Sequence, residues 1–273
     1  VPMVGITIAF KNYRPINGIW GSTWVGFDNF TRFFKSYQFQ RVLTNTLGLS
    51  FYLLIAGFPI PIILALALNA TLFKKFKRTV QFVTYMPHFI STVVMVGIVL
   101  QFFNPHIGIF SRVLQAIGVS TINLLGSPNV FKSLYVWSDV WQAAGWNSII
   151  YLASLSGVDT ELHEAALMDG ATRFKRILRI DLPCIMPTIT TMLLLNLGKI
   201  MNLGFEKVFL MQNPLNLRSS EIISTYVYQV ALGSGMGDFS YATAIGMFNS
   251  VVNFLLVLIV NEIAKRVGET SLW

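Results

Sequence analysis

Few residues in this chain have the types and spacing that chemistry needs. His88, His106 and His163 are scattered, and none has a companion at metal-ligand spacing. Cys184 is the single cysteine, which excludes an internal disulfide and any cysteine-rich metal site. The chain has no Gly-x-x-x-x-Gly-Lys-Ser/Thr phosphate loop, no Gly-x-Ser-x-Gly elbow and no His-Glu-x-x-His pair. We therefore read it as a non-enzyme with no catalytic residues and no bound metal. What stands out instead is a polar, basic island, Glu164-Ala165-Ala166-Leu167-Met168-Asp169-Gly170-Ala171 running on to Ile180-Asp181-Leu182-Pro183. Its chemistry is that of docking.

The elements that must carry the island can be read locally. Asp159 suits the N-cap of a helix over Thr160–Met168, with Glu161 and Glu164 near its positive end. Gly170 stands where a helix C-terminus favours a left-handed residue. Thr172 can cap a second helix through Ile180, ended by Pro183 and again by Pro187. Ala165, Ala166 and Ala171 keep this pair slim enough to enter a groove in a partner. On composition alone, an amphipathic helix resting on lipid headgroups stands equally well.

The island sits between segments that belong in a bilayer. The 273 residues are 54% hydrophobic and 12% charged, against about 25% charged in soluble domains. Apolar runs approach the ~20 residues that cross a bilayer as helix, and barrel-like alternation is absent. The expected fold is an all-α, polytopic helical bundle of six spans in one transmembrane domain, with a cytoplasmic coupling loop at 159–185. The spans are expected at 1–10 (the end of a truncated first span), 43–73, 79–103, 131–157, 186–203 and 239–263. Pro59 and Pro61 predict a kink in the second. A short interfacial helix is expected near 27–34.

The net charge of +8 does not indicate a nucleic-acid partner, because the basic residues gather at span ends. Lys74, Lys75, Lys77 and Arg78 mark one inner loop, Arg173, Lys175, Arg176 and Arg179 the island, and Lys265 and Arg266 the end of the last span. The topology is thereby self-consistent, with membrane lipid as the surrounding partner.

Polar residues inside spans point to a path or to helix contacts. Asp139, Gln142, Asn147 and Ser148 fall in 131–157. Asn196, Lys199, Asn202 and Glu206 recur at spacings of three, three and four, which places them on one face if the helix runs that far. Lys199 could meet an anion in a cavity, or pair with Glu206 or a neighbouring chain. In the last span Ala242, Gly246, Asn249 and Asn253 form a small-and-polar face, suited to close packing, with the asparagines able to hydrogen-bond a solute.

The order of residues in the island resembles the signature of permease subunits of bacterial binding-protein-dependent ABC importers. Glu164-Ala165-Ala166, three residues, Gly170, nine residues, Ile180, one residue and Leu182-Pro183 meet every fixed position of it. Asp169-Gly170-Ala171, Gly26-Phe27-Asp28-Asn29-Phe30 and Pro87 after Arg78-Thr79 look like the sugar branch. Gly204-Phe205-Glu206, Asn213-Pro214, Thr225-Tyr226-Val227-Tyr228 and Phe239-Ser240-Tyr241-Ala242-Thr243-Ala244 look like its oligosaccharide subgroup, which includes importers of alginate and aldouronate pieces.

The resemblance implies a multi-pass subunit of the bacterial inner membrane, paired with a second permease above two ATPase subunits. Those subunits would bind ATP and Mg, and this chain no cofactor. A solute-binding protein would deliver an oligosaccharide from outside. Lys199 would then meet an anionic sugar, or pair with Glu206 or the sister subunit, while Asn249 and Asn253 could reach sugar hydroxyls. Glu164 would be the main polar contact to the ATPase, with Ala165, Ala166, Asp169, Gly170, Ala171, Arg173, Phe174, Leu182 and Pro183 shaping the fit. An ion-coupled secondary transporter is the rival, and would call for deep carboxylates and repeated broken helices. Asp139 is the one plausible deep carboxylate in the sequence.

Overall fold

The computed structural model describes residues 2–118, 123–233 and 237–267. Val1, where the first expected span begins, and the side chain of Arg266 lie outside the described residues. The described chain is helical apart from one two-stranded ladder, Lys11–Asn12 antiparallel to Thr23–Trp24. It divides into two compact units.

The first unit comprises Val1–Ser50, Val96–Lys132 and Lys199–Val257. Its N-terminal segment is a helical turn, Pro2–Gly5, followed by a tighter turn, Ile6–Phe10. The expected interfacial helix is present as Asp28–Lys35. Phe33 and Phe34 each pack edge to face on Phe39 and Phe248, as those two do on each other, with centroids 5.1–5.7 Å apart. Asn45 donates to the carbonyls of Arg218 and Glu221, and the Thr46 hydroxyl accepts the N–H of Ile223. Glu221 is buried, which pushes its carboxyl above the usual range, while Arg41, at 3.2 Å, pulls the other way.

The second unit comprises Phe51–Met95, Ser133–Gly198 and the chain from Leu258. Its core is Ile62, Ala65, Leu66, Tyr151, Leu155 and Ile185. Gly145 lets the helix Pro128–Ser156 lie directly on Lys74–Tyr85 at Thr84, the kind of backbone approach small residues allow between membrane helices.

Among the described residues two helices are long and apolar enough to cross a membrane singly, Tyr37–Asn69 and Phe239–Ile259. Two more crossings are possible as bent pairs, Lys74–Phe89 with Thr92–Phe102 and Arg173–Cys184 with Met186–Leu197. The helix Pro128–Ser156 has 29 residues, long enough by length but the most polar of the expected spans.

Three expectations change here. The span at 43–73 begins earlier, at Tyr37, and runs past Pro59 and Pro61 with only a one-residue interruption at Phe58. The span at 79–103 is not one helix, because the chain turns through 102° after Phe89. Pro87 supplies no N–H and disfavours helix before it, so Met86–Phe89 tightens and Ile90 leaves the ladder. The Gln142 amide donates to the freed Ile90 carbonyl at 2.9 Å, and Trp146 stacks on His88 at 4.5 Å. Gln142 thus serves a helix-to-helix hydrogen bond. The third change is at 186–203, where the helix Met186–Leu197 is only 12 residues long, too short at 1.5 Å per residue to cross alone.

Candidate functional site

The island folds as its capping residues dictate. Asp159 has extended backbone angles, and its carboxylate accepts the N–H of Glu161 at 2.9 Å, opening the helix Thr160–Met168. At the other end Gly170 has φ +69°. The N–H of Ala171 reaches the carbonyl of Ala166 at 2.8 Å, and that of Gly170 the carbonyl of Leu167 at 3.0 Å. That pair of bonds is a Schellman closure. Thr172 then accepts the N–H of Lys175 and starts the next helix.

Gly170→Ala keeps the chain but forces a β-carbon into the left-handed region. It should cost about 1–2 kcal/mol. The midpoint of thermal unfolding of the purified chain, compared with Gly170→Asn, checks this, asparagine being the better tolerated.

The second helix differs from expectation. It does not stop at Ile180 before Pro183 but continues to Cys184, through a π-helical turn over Ile177–Asp181. A π turn adds a residue to the ring of each hydrogen bond, which relaxes the ladder where Pro183 has no N–H to give. The bend, 61°, comes at Ile185.

The loop presents an unusual surface. Glu164, Ala165, Asp169, Gly170, Arg173, Phe174 and Pro183 are exposed, while Ala166, Ala171 and Leu182 are half-buried. Beside the charges stand large apolar side chains, with Met168 90% exposed and Phe174 68%. Such a tip is costly to leave in water and is what a partner groove covers. Met168 is not an expected contact residue, since after Ala165, Ala166 and Leu167 it reads as one more apolar residue of a short helix.

The base of the loop is anchored. Leu182 and Ile177 pack on the core cluster built around Ile62 and Tyr151. Asp181 is 3% exposed. Its carboxylate lies 3.3 Å from Nε2 of His163 and 3.5 Å from Nδ2 of Asn69. Sequence reasoning points to neither Asp181 nor His163 as a site residue.

The expected path residues divide. Asn196 bonds its own helix, donating to Met192 at 2.8 Å. Lys199 lies in a turn beyond Leu197, Asn202 in the linker and Glu206 in the first turn of a new helix, Phe205–Met211. The single face inferred for these four does not exist, because Gly198 and Gly204 bracket a segment that leaves the helix. Among the described residues Lys199 and Glu206 form no ion pair, and both are exposed.

Asn249 and Asn253 do share the helix Phe239–Val267. Asn253 accepts the N–H of Met201 at 3.4 Å, whereas Oδ1 of Asn249 is buried without a hydrogen-bond partner among the described residues. Ala242 and Gly246 line an open groove of about 490 Å³ with Val227 and Ala231. No described atom comes within 4 Å of a β-carbon placed on Gly246, so close packing inside this chain does not account for it.

Residues 57–269 match the family described as "Binding-protein-dependent transport system inner membrane component". The chain is 42% identical over 273 residues to Protein LplB of Bacillus subtilis (strain 168), covering all of this chain and 85% of that protein. It is equally 42% identical to the polygalacturonan/rhamnogalacturonan transport system permease protein YteP of the same organism, covering all of this chain and 84% of that one. Among solved structures it resembles a chain of a bacterial alginate ABC transporter in complex with alginate pentasaccharide-bound periplasmic protein. There the TM-score is 0.91 at 40% identity, over 99% of this chain and 90% of that one. A second structure, of a bacterial ABC transporter involved in the import of the acidic polysaccharide alginate, gives 0.89 at 41% identity, over 97% and 89%.

Proposed function

The chain belongs to the family of binding-protein-dependent transport system inner membrane components, and from that premise we propose that it forms half of the translocation path of an ATP-driven oligosaccharide importer. It is a sugar permease of the ABC kind, as its relatives are. In the proposed assembly a second, similar permease completes the path, and two ATPase subunits carrying ATP and Mg lie beneath residues 159–185. A solute-binding protein docks outside. The proposed topology is one transmembrane domain over residues 1–273 with six spans, the first present only by its end, and with residues 159–185 on the cytoplasmic side.

The observation that carries this reading is the loop itself. It is closed by a Schellman motif, anchored at its base and tipped with exposed Met168 and Phe174. A rigid knob with an apolar tip transmits displacement to the helices behind it by rigid-body movement. In this reading the work comes from the ATPase subunits through such a contact, this chain having no Gly-x-x-x-x-Gly-Lys-Ser/Thr phosphate loop. Reconstitution in vesicles tests it. Uptake should require ATP, the ATPase subunits and the binding protein together, and uptake by this chain alone on an ion gradient would overturn it.

For the cargo we propose an acidic, alginate- or oligouronate-like oligosaccharide, supported by the alginate transporters the chain resembles. Lys199, exposed and without an ion pair among the described residues, is the proposed contact to a sugar carboxylate. Lys199→Ala should lower uptake of acidic oligosaccharides about tenfold, the loss of one charge-assisted hydrogen bond, and leave neutral ones unchanged. Parallel uptake assays with reduced and unreduced uronates of equal length read this out.

A further inference from the structure

We propose that Asp181 is a positioning residue for coupling, the junction through which displacement of the helix Thr160–Met168 reaches the span Tyr37–Asn69. The inference rests on the importer reading above. Asp181 gathers donors from two segments distant in sequence, His163 on the docking helix and Asn69 at the last helical residue of the span. It stands at the end of the π turn Ile177–Asp181, where the extra residue rotates the carboxylate toward them.

Two features separate this from a merely structural contact. Asp181 lies between Ile180 and Leu182, and Leu182 and Ile185 both belong to or pack on the apolar core, so the position could hold a leucine. Leucine there removes only the acceptor, and His163 and Asn69 are half-buried, so water can take its place for both. What the carboxylate adds is direction. Moving His163 or Asn69 away leaves a nearly water-free acceptor without its donors, which is opposed. The docking helix, the helix after it and the end of the span are thereby tied to move as one piece. Apolar contacts alone permit sliding, since they are not directional.

The experiment uses the complete reconstituted complex and reads oligosaccharide imported per ATP hydrolysed. Asp181→Leu should lower that ratio about fivefold while assembly and ATP hydrolysis persist. Asp181→Asn keeps an acceptor for both donors and should restore most of the ratio. His163→Leu and Asn69→Leu should lower it similarly, and these two decide the matter should Asp181→Leu fail to assemble. An unchanged ratio in His163→Leu and Asn69→Leu overturns the proposal. So does a ratio that falls as far in Asp181→Asn as in Asp181→Leu. The wild-type complex separates this from the importer reading: if it imports with ATP and these variants keep its ratio, only the junction fails.

Discussion

Replacing Glu164 with alanine should reduce ATP-driven uptake at least about 30-fold while the subunit remains folded and inserted. The helix that carries it is capped by Asp159 and closed by Gly170, and neither device involves Glu164. Its side chain is exposed, with no ion pair among the described residues. Alanine is the better helix former, and the charge lost near the positive end offsets that gain, so the helix itself should change little. The loss must then come from a contact outside this chain. A carboxylate removed from a desolvated protein interface costs about 2–5 kcal/mol, much of it from the donor left unpaired, and 2 kcal/mol is already about 30-fold. Co-purification with the ATPase subunits and uptake in vesicles measure both halves. Full uptake by the Glu164→Ala complex would remove Glu164 from the coupling contact.

The second large effect concerns packing. Gly145→Val should destabilise the chain by about 1–3 kcal/mol or more, because a β-carbon there overlaps the Thr84 carbonyl. Backbone cannot swing aside as a side chain does, so the helices Pro128–Ser156 and Lys74–Tyr85 must separate. The contacts beyond it go with them, namely the Gln142 bond to Ile90 and the stack of His88 on Trp146. Gly246→Ala is the control, since open space surrounds it among the described residues. Thermal unfolding in detergent should therefore drop clearly for Gly145→Val and hardly at all for Gly246→Ala. Equal behaviour of the two would contradict the packing described.

How far the sequence reads correctly depends on how local each signal is. Asp159, Gly170 and Thr172 act on backbone groups within a few residues, and all three stand in the roles their types suggest. Failure comes where a pattern assumes an unbroken helix. The spacing of Asn196, Lys199, Asn202 and Glu206 fits one face only if the helix continues past Gly198, and it does not. Counting by 3.6 likewise passes over the π turn, which adds a residue and so hides that Asp181 faces His163. Pro87 is legible as a disturbance, yet its consequence, a 102° turn satisfied by Gln142 from a segment over 50 positions away, depends on a tertiary partner. At Pro59 and Pro61 the disturbance stays local, an interruption at Phe58 alone. There the helix simply resumes, with Phe58 still donating to Leu54 at 3.0 Å.

The central claim is that residues 159–185 face the cell interior and are covered there by a separate ATPase. Met168 is the most exposed apolar side chain of that loop, and Met168→Cys in a Cys184→Ser background gives a single thiol, Cys184 itself being exposed. A membrane-impermeant thiol reagent should then label inside-out vesicles, not right-side-out ones, and added ATPase subunits should protect the site. Labelling from the outer face, or labelling that the ATPase subunits leave unchanged, would contradict the account.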